Sequence, residues 1–270
     1  MLRSSISARN PAPRAPWAWA LTGAFIGLLL ALALFAPAIW VAAAVASASA
    51  GQVQLIDTRG TLWNGSARLL LTGGSGSRDQ AALPGRLRWQ LRPHWTAFSL
   101  QVNADCCTPV PLQMRIAPGW SGARLQVADG QSQWPAAVLA GLGTPWNTVQ
   151  ADGTLSLNTQ GFSLASNASR ITMTGNADVT ALGISSQLST LKPMGSYKLA
   201  ITGNAGGDAP ALSLTTLEGS LQLSGNGRWV GSRLRFEGEA RAAAEHEAAL
   251  ANLLNIIGRR SGARSIITLG

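Results

Sequence analysis

An apolar run from Trp17 to Ala36 carries no charge and follows three arginines, Arg3, Arg9 and Arg14. Twenty helical residues at 1.5 Å each span about 30 Å, the thickness of a bilayer's hydrocarbon core. This restricts the chain more than any other feature, because it ties whatever follows to a membrane. The basic flank keeps residues 1–16 in the cytoplasm and sends the rest across. Ala48-Ser49-Ala50 fits the small-residue pattern of a signal-peptide cleavage site. A signal peptide's apolar region is only about 7–15 residues long, however, and this one continues past Val45. The expected reading is a permanent anchor, broken at Pro37 and followed by a second, Ala-rich helix over Ala38–Ala48. The expected organisation is a cytoplasmic tail (1–16), a transmembrane helix (17–36), a membrane-proximal helix or linker (37–51) and an exported body (52–270). Trp17, Trp19 and Trp40 flank the apolar run, where indoles suit the membrane–water interface.

From Gln52 onward the period changes to two. Leu87, Trp89 and Leu91 alternate with Arg86, Arg88, Gln90 and Arg92, and Leu112, Met114 and Ile116 alternate with Gln113 and Arg115. Leu234 and Phe236 repeat the pattern within Arg233–Glu237. These are half-buried antiparallel strands with one wet face, punctuated by Gly-, Asn- and Pro-rich turns. Two helices interrupt them: a short one over Ala136–Leu142 after Pro135, and an amphipathic one over Ala242–Ile257. In the second, Leu250, Leu253, Leu254 and Ile257 form one stripe. Gly258 is placed to end that helix, with Arg259 and Arg260 beside its C-terminus. The expected fold is mainly β: an antiparallel sheet, sandwich or half-barrel with a short internal helix and a C-terminal amphipathic helix.

The net charge is +9, but the arginines fall singly along strands rather than in runs, and no nucleic-acid-binding module is present. A nucleic-acid partner is not expected. Cys106 and Cys107 are adjacent, so a bond between them closes no long loop. Two readings stay open for them: a local vicinal disulfide, or two free thiols. The two histidines, His94 and His246, lie far from the cysteines and from each other, which argues against a metal site. There is no nucleophile elbow, phosphate-binding loop or dinucleotide fingerprint. No enzyme chemistry and no cofactor are expected.

Ten tryptophans are many for 270 residues. In the body they either fill the core and cover the ends of the β structure, or form a surface for a partner or an acyl chain. Trp63 and Trp95 are the candidates for such a surface.

Four stretches carry a family resemblance. Gly51–Ala67, with its Gly60-Thr61-Leu62-Trp63-Asn64-Gly65 core, resembles the start of the periplasmic part of type II secretion system protein N. Trp89-Gln90-Leu91-Arg92-Pro93, Ala140–Thr148 and Leu253–Ser265 are similar to later parts of that family, in the same order. The resemblance implies a single-pass inner-membrane accessory subunit with its C-terminal domain in the periplasm of a Gram-negative bacterium. Its partners would be other inner-membrane subunits of the machine that exports folded proteins across the outer membrane. It supplies no catalytic residues. The alternative reading, from alternating strands and low charge, is a periplasmic lipid-binding or lipid-transfer protein with a β groove.

Overall fold

Alternation between apolar and polar residues becomes sheet wherever a turn lets the chain return beside itself, and here it does so throughout the body. The computed structural model describes residues 17–74, 76–120, 122–167, 170–203, 209–230 and 233–270. The expected cytoplasmic tail, 1–16, lies outside the described residues. The chain divides into two units, Met1–Ala36 and Pro37–Gly270.

In the first unit, helix α1 runs from Trp17 to Leu34 with every residue exposed. Its 18 residues carry no charge and make a helix long and apolar enough to cross a membrane.

The second unit opens with α2, Ile39–Ala48, and continues into β1, Val53–Gly60, and β2, Asn64–Thr72. There follow β3, Gln80–Ala82, β4, Leu87–Pro93, β5, Phe98–Ala104, β6, Leu112–Gly119, β7, Gly122–Val127, and β8, Gly130–Pro135. A 3-10 helix, Ala136–Leu142, and the single turn α3, Trp146–Val149, lead to two 16-residue strands. These are β9, Asp152–Asn167, and β10, Arg170–Ser185. Next come β11, Gly195–Gly203, β12, Ala211–Gly219, β13, Leu221–Val230, and β14, Arg233–Ala242. Helix α4, Glu247–Ile257, and strands β15, Arg259–Ser261, and β16, Arg264–Leu269, complete the chain.

The strands form one 16-stranded sheet in the order β1-β2-β4-β5-β6-β7-β9-β10-β11-β12-β13-β14-β16-β15, and every described pair is antiparallel. Strand β3 pairs with β2, and β8 with β9. Of the architectures the sequence left open, this is the single antiparallel sheet. Strand β9 joins its two parts. Its last residues pair with β7, from Gly122 opposite Asn167 to Gln126 opposite Ser163. Its first residues pair with β8, from Gly130 opposite Thr159 to Pro135 opposite Thr154. Between these two spans the β9–β10 register shifts by one residue at Gly161, where φ is +58°. The extra residue moves the inward set of β9 from Leu164 to Thr159, Leu157 and Leu155, so both spans keep their apolar side chains on the same face.

The C-terminal helix differs from expectation in detail. The C-terminal helix starts at Glu247, after a 3-10 turn over Ala244–His246, because Ala242 still belongs to β14 opposite Leu221 and is buried there. Gly258 does end the helix, but with extended backbone at φ −171° rather than a left-handed turn. What requires glycine is space: a Cβ there would meet the Ile266 carbonyl oxygen. Arg260 lies beside the helix C-terminus as expected, donating to the Asn255 side chain in the last turn at 3.4 Å, and it also reaches Glu247 in the first turn at 3.1 Å.

Candidate functional site

Following the register across the sheet places most of its apolar residues on one face. Leu55 faces Leu69, Leu87 faces Ala104, and Trp89 faces Val102. Leu91 faces Leu100, which faces Met114, which faces Val127; Phe98 faces Ile116, which faces Leu125. Leu125 faces Leu164, and Leu164 faces Met173. In the later strands Val179 faces Leu199, Leu199 faces Leu214, and Ile201 faces Leu212. The opposite face is polar, with Arg88 opposite Asn103, Gln90 and Gln113 opposite Gln101, and Arg115 opposite Ser99 and Gln126. Ion pairs decorate that face: Lys198–Asp178 at 2.9 Å, and Glu239 between Arg264 at 3.4 Å and Arg241 at 3.5 Å.

Three groups of residues cover parts of the apolar face. Helix α4 seals one end, burying Leu250, Leu253 and Leu254 against Met194, Tyr197, Leu221, Ala240 and Ala242. The Tyr197 hydroxyl donates to the Leu221 carbonyl at 3.0 Å, and burial pushes its pKa well above the usual range. The 3-10 helix brings Val138 against Leu83, Ala104 and Cys107, with Leu69, Leu71 and Trp134 around them. Helix α2 sets Ala38 and Val41 on Ala67 and Trp89.

Between these covers the apolar face carries no such cluster. Met114, Ile116, Leu125, Val127, Leu164, Met173, Leu199 and Ile201 are half-buried, shielded by their strand neighbours and by no packed helix among the described residues. The result is an uncovered apolar face, a trough between the covering helices, over β6, β7, β9, β10 and β11. Two aromatic rings lie flat on glycine at its flanks. Phe236 occupies space where a Cβ on Gly225 would sit 2.5 Å away and one on Gly238 2.9 Å away. Trp89 lies on Gly65 in the same manner and donates its indole N–H to the Leu62 carbonyl at 3.1 Å.

The tryptophans split sharply. Trp89 is buried, whereas Trp63, Trp134 and Trp229 are half-buried. Trp95 and Trp120 are fully exposed at the β4–β5 and β6–β7 turns. Trp63 and Trp95 are therefore both at turns on the same end of the sheet, but only Trp95 stands clear of the domain. Reading the sequence missed Trp120, although Gly119-Trp120-Ser121-Gly122 carried a signal: an indole in a glycine-flanked turn has no side chains near enough to bury it. Trp17 and Trp19 are exposed on α1, and Trp40 on α2.

Cys106 and Cys107 turn the chain between β5 and β6, and their sulfurs are bonded to each other. Cys106 is exposed; Cys107 is buried against Leu83 and Val138, and its carbonyl accepts the Gln133 N–H at 2.9 Å. The corner therefore ties β8 to β5.

Charged groups do not converge on the trough. Asp57 sits in the β1 bulge with φ +51°, held by Arg86 at 2.5 Å and by Arg59 at 3.4 Å. The hydrogen bond from Arg86 is the main reason its carboxyl lies below the usual range. His94 is exposed in the β4–β5 turn, and His246 lies just before α4. Among the described residues there is no group of three or more His, Cys, Asp or Glu side chains able to hold a metal ion.

Comparison with curated proteins and with solved structures gives no match. Comparison with protein families does. The family described as type II secretion system (T2SS), protein N, matches residues 51–267, from the turn into β1 to within β16. That span contains the whole sheet apart from its last residues, together with the trough, the covering helix α4 and the Cys106–Cys107 corner. The chain belongs to the type II secretion system protein N family, and is thus a component of that secretion machinery.

Proposed function

We propose that this chain is a non-enzymatic accessory subunit of the type II secretion system, held in the inner membrane by α1 with the sheet in the periplasm. The observation that carries the reading is the family match over 51–267, immediately behind a helix long and apolar enough to cross a bilayer. The arginines before Trp17 favour a cytoplasmic N-terminus. The subunit acts through contacts with other inner-membrane secretion subunits. The outer edge of β1 suits such a contact: among the described residues β1 pairs with a strand on one side only, and its bulge leaves Ile56 exposed. Crosslinking in cells followed by mass spectrometry tests this. Adducts should map to secretion subunits and include residues of β1, whereas recovery of unrelated envelope proteins alone would sink the reading. Protease applied to spheroplasts should digest the sheet and spare the N-terminus; the reverse pattern would overturn the orientation.

A second reading rests on the uncovered trough. Half-buried Met114, Ile116, Leu125, Leu164 and Ile201 present apolar surface of the kind that receives acyl chains. Mass spectrometry of the intact protein released from nanodiscs is the check. Retained phospholipid that is lost in Leu125→Asp supports lipid binding, and a protein free of lipid in both forms removes it.

A further inference from the structure

We propose that the β4–β5 and β6–β7 hairpin tips form a membrane-docking rim, with Trp95 and Trp120 inserted into the headgroup layer of an anionic phospholipid surface. This rests on the reading of α1 as a bilayer anchor. Exposure is the first argument. Trp95 and Trp120 have relative exposures of 104% and 110%, so their rings touch essentially nothing in the domain. An indole combines a large apolar ring with one N–H donor, which suits it to the boundary between acyl chains and water.

Placement is the second argument. The two tips project from the same end of the sheet. Their hairpins are neighbours, because Phe98 of β5 pairs with Ile116 of β6. Two strand spacings put the tips about 10 Å apart. The β1–β2 turn carrying Trp63 lies at this end as well, set back because Asn64 pairs with Gln90, three residues before Pro93. The chain enters the domain here too: Pro37 bridges to Thr61, and the Ala38 N–H donates to the Gly60 carbonyl. The other end of the sheet differs, being covered by α4 and the 3-10 helix with their buried leucines and Val138.

Charge is the third argument. Between residues 87 and 127 the sequence holds one acid, Asp105, against four arginines. Asp105 lies at the far end of β5, 3.3 Å from Arg88. Arg92, Arg115 and Arg124 lie toward the tips on the polar face, and none of the three makes an ion pair among the described residues. Exposed indoles beside unpaired arginines match a surface of anionic headgroups over apolar chains.

The test uses the full chain, labelled with 5-fluorotryptophan, in nanodiscs of phosphatidylglycerol and phosphatidylethanolamine. Loss of a resonance in Trp95→Phe or Trp120→Phe assigns each tip, and both variants keep the fold because neither ring is packed. With nitroxide-bearing lipid added, the Trp95 and Trp120 resonances should broaden while that of Trp146, in α3 beside the 3-10 helix at the far end of the sheet, stays sharp. Phosphatidylcholine nanodiscs should reduce the tip broadening severalfold, and equal broadening there would overturn the anionic preference. Sharp tip resonances beside broadened Trp17 and Trp19 would overturn docking while leaving the anchor intact. Sharp Trp17 and Trp19 beside broadened tips would support docking and remove the anchor. If the tips respond only when other secretion subunits are added, the surface binds protein and the proposal fails.

Discussion

The α4 end of the apolar face and its central span are built from the same residue types, yet one is closed and the other open. At the closed end Leu250, Leu253 and Leu254 are buried over Tyr197, Leu221 and Ala240. In the central span Met114, Leu125 and Leu164 stand in the same alternation on the same face and are only half-buried. Hydrophobicity along a strand therefore decides which way a side chain points. Whether it becomes core depends on a second layer, and α4 supplies one at only one end.

This contrast can be broken by mutation. The largest effect belongs to the sealed end, where Leu254→Ala should lose about 2–5 kcal/mol of stability in chemical unfolding. A loss under about 1 kcal/mol would mean that α4 does not seal the face. Gly225→Val should cost about 1–3 kcal/mol by displacing the Phe236 ring. Gln222→Val, three residues away in β13 on the exposed polar face, serves as the neutral comparison. In the open span Leu125→Ala should cost less than the α4 change, about 1–2 kcal/mol, since its half-buried side chain loses contact with strand neighbours but with no packed helix. A value matching Leu254→Ala would show that something covers the trough. Asp57 gives a smaller, pH-dependent effect. Its folded pKa is depressed, so its contribution is present above the ordinary value of 3.8 and is lost as pH falls through the lower folded value. The melting-temperature gap between the protein and Asp57→Asn should therefore close on acidification, and a gap that widened would reverse the assignment. Reduction of Cys106–Cys107 should matter least through chain entropy, because a bond between adjacent residues restricts almost no unfolded loop. A melting temperature that drops by many degrees would instead assign the disulfide a direct role in holding the β5–β6 corner to β8.

Much of this contrast could be read in the sequence and part could not. Alternation identified the inward faces at Leu87–Leu91 and Leu112–Ile116, and the stripe Leu250–Leu253–Leu254–Ile257 identified the sealing helix. Strand order was less legible. Nothing local distinguishes β8 from β7, yet β9 takes one on each half, and the switch depends on a single glycine bulge at Gly161. The start of α4 was misplaced because Ala242 suits a helix by propensity and a strand by its pairing with Leu221, and the tertiary contact prevails. The tryptophans show the limit most directly. Composition alone does not separate Trp89, lying flat on Gly65, from Trp95 and Trp120 in open solvent.

The strand order also bears on how the chain acquires its structure. Almost every strand pairs with the one made just before it, the exceptions being where β9 meets β7, β14 meets β16 and β2 meets β4. Contacts are thus short-range in sequence, a topology that folds quickly for a β protein of this size. A thread delivered from its N-terminus adds one hairpin at a time to a finished edge, so at each moment a single unpaired strand is exposed to misassociation. Completion waits for the last residues, since α4 and β16 arrive together and close the end that the earlier strands leave bare.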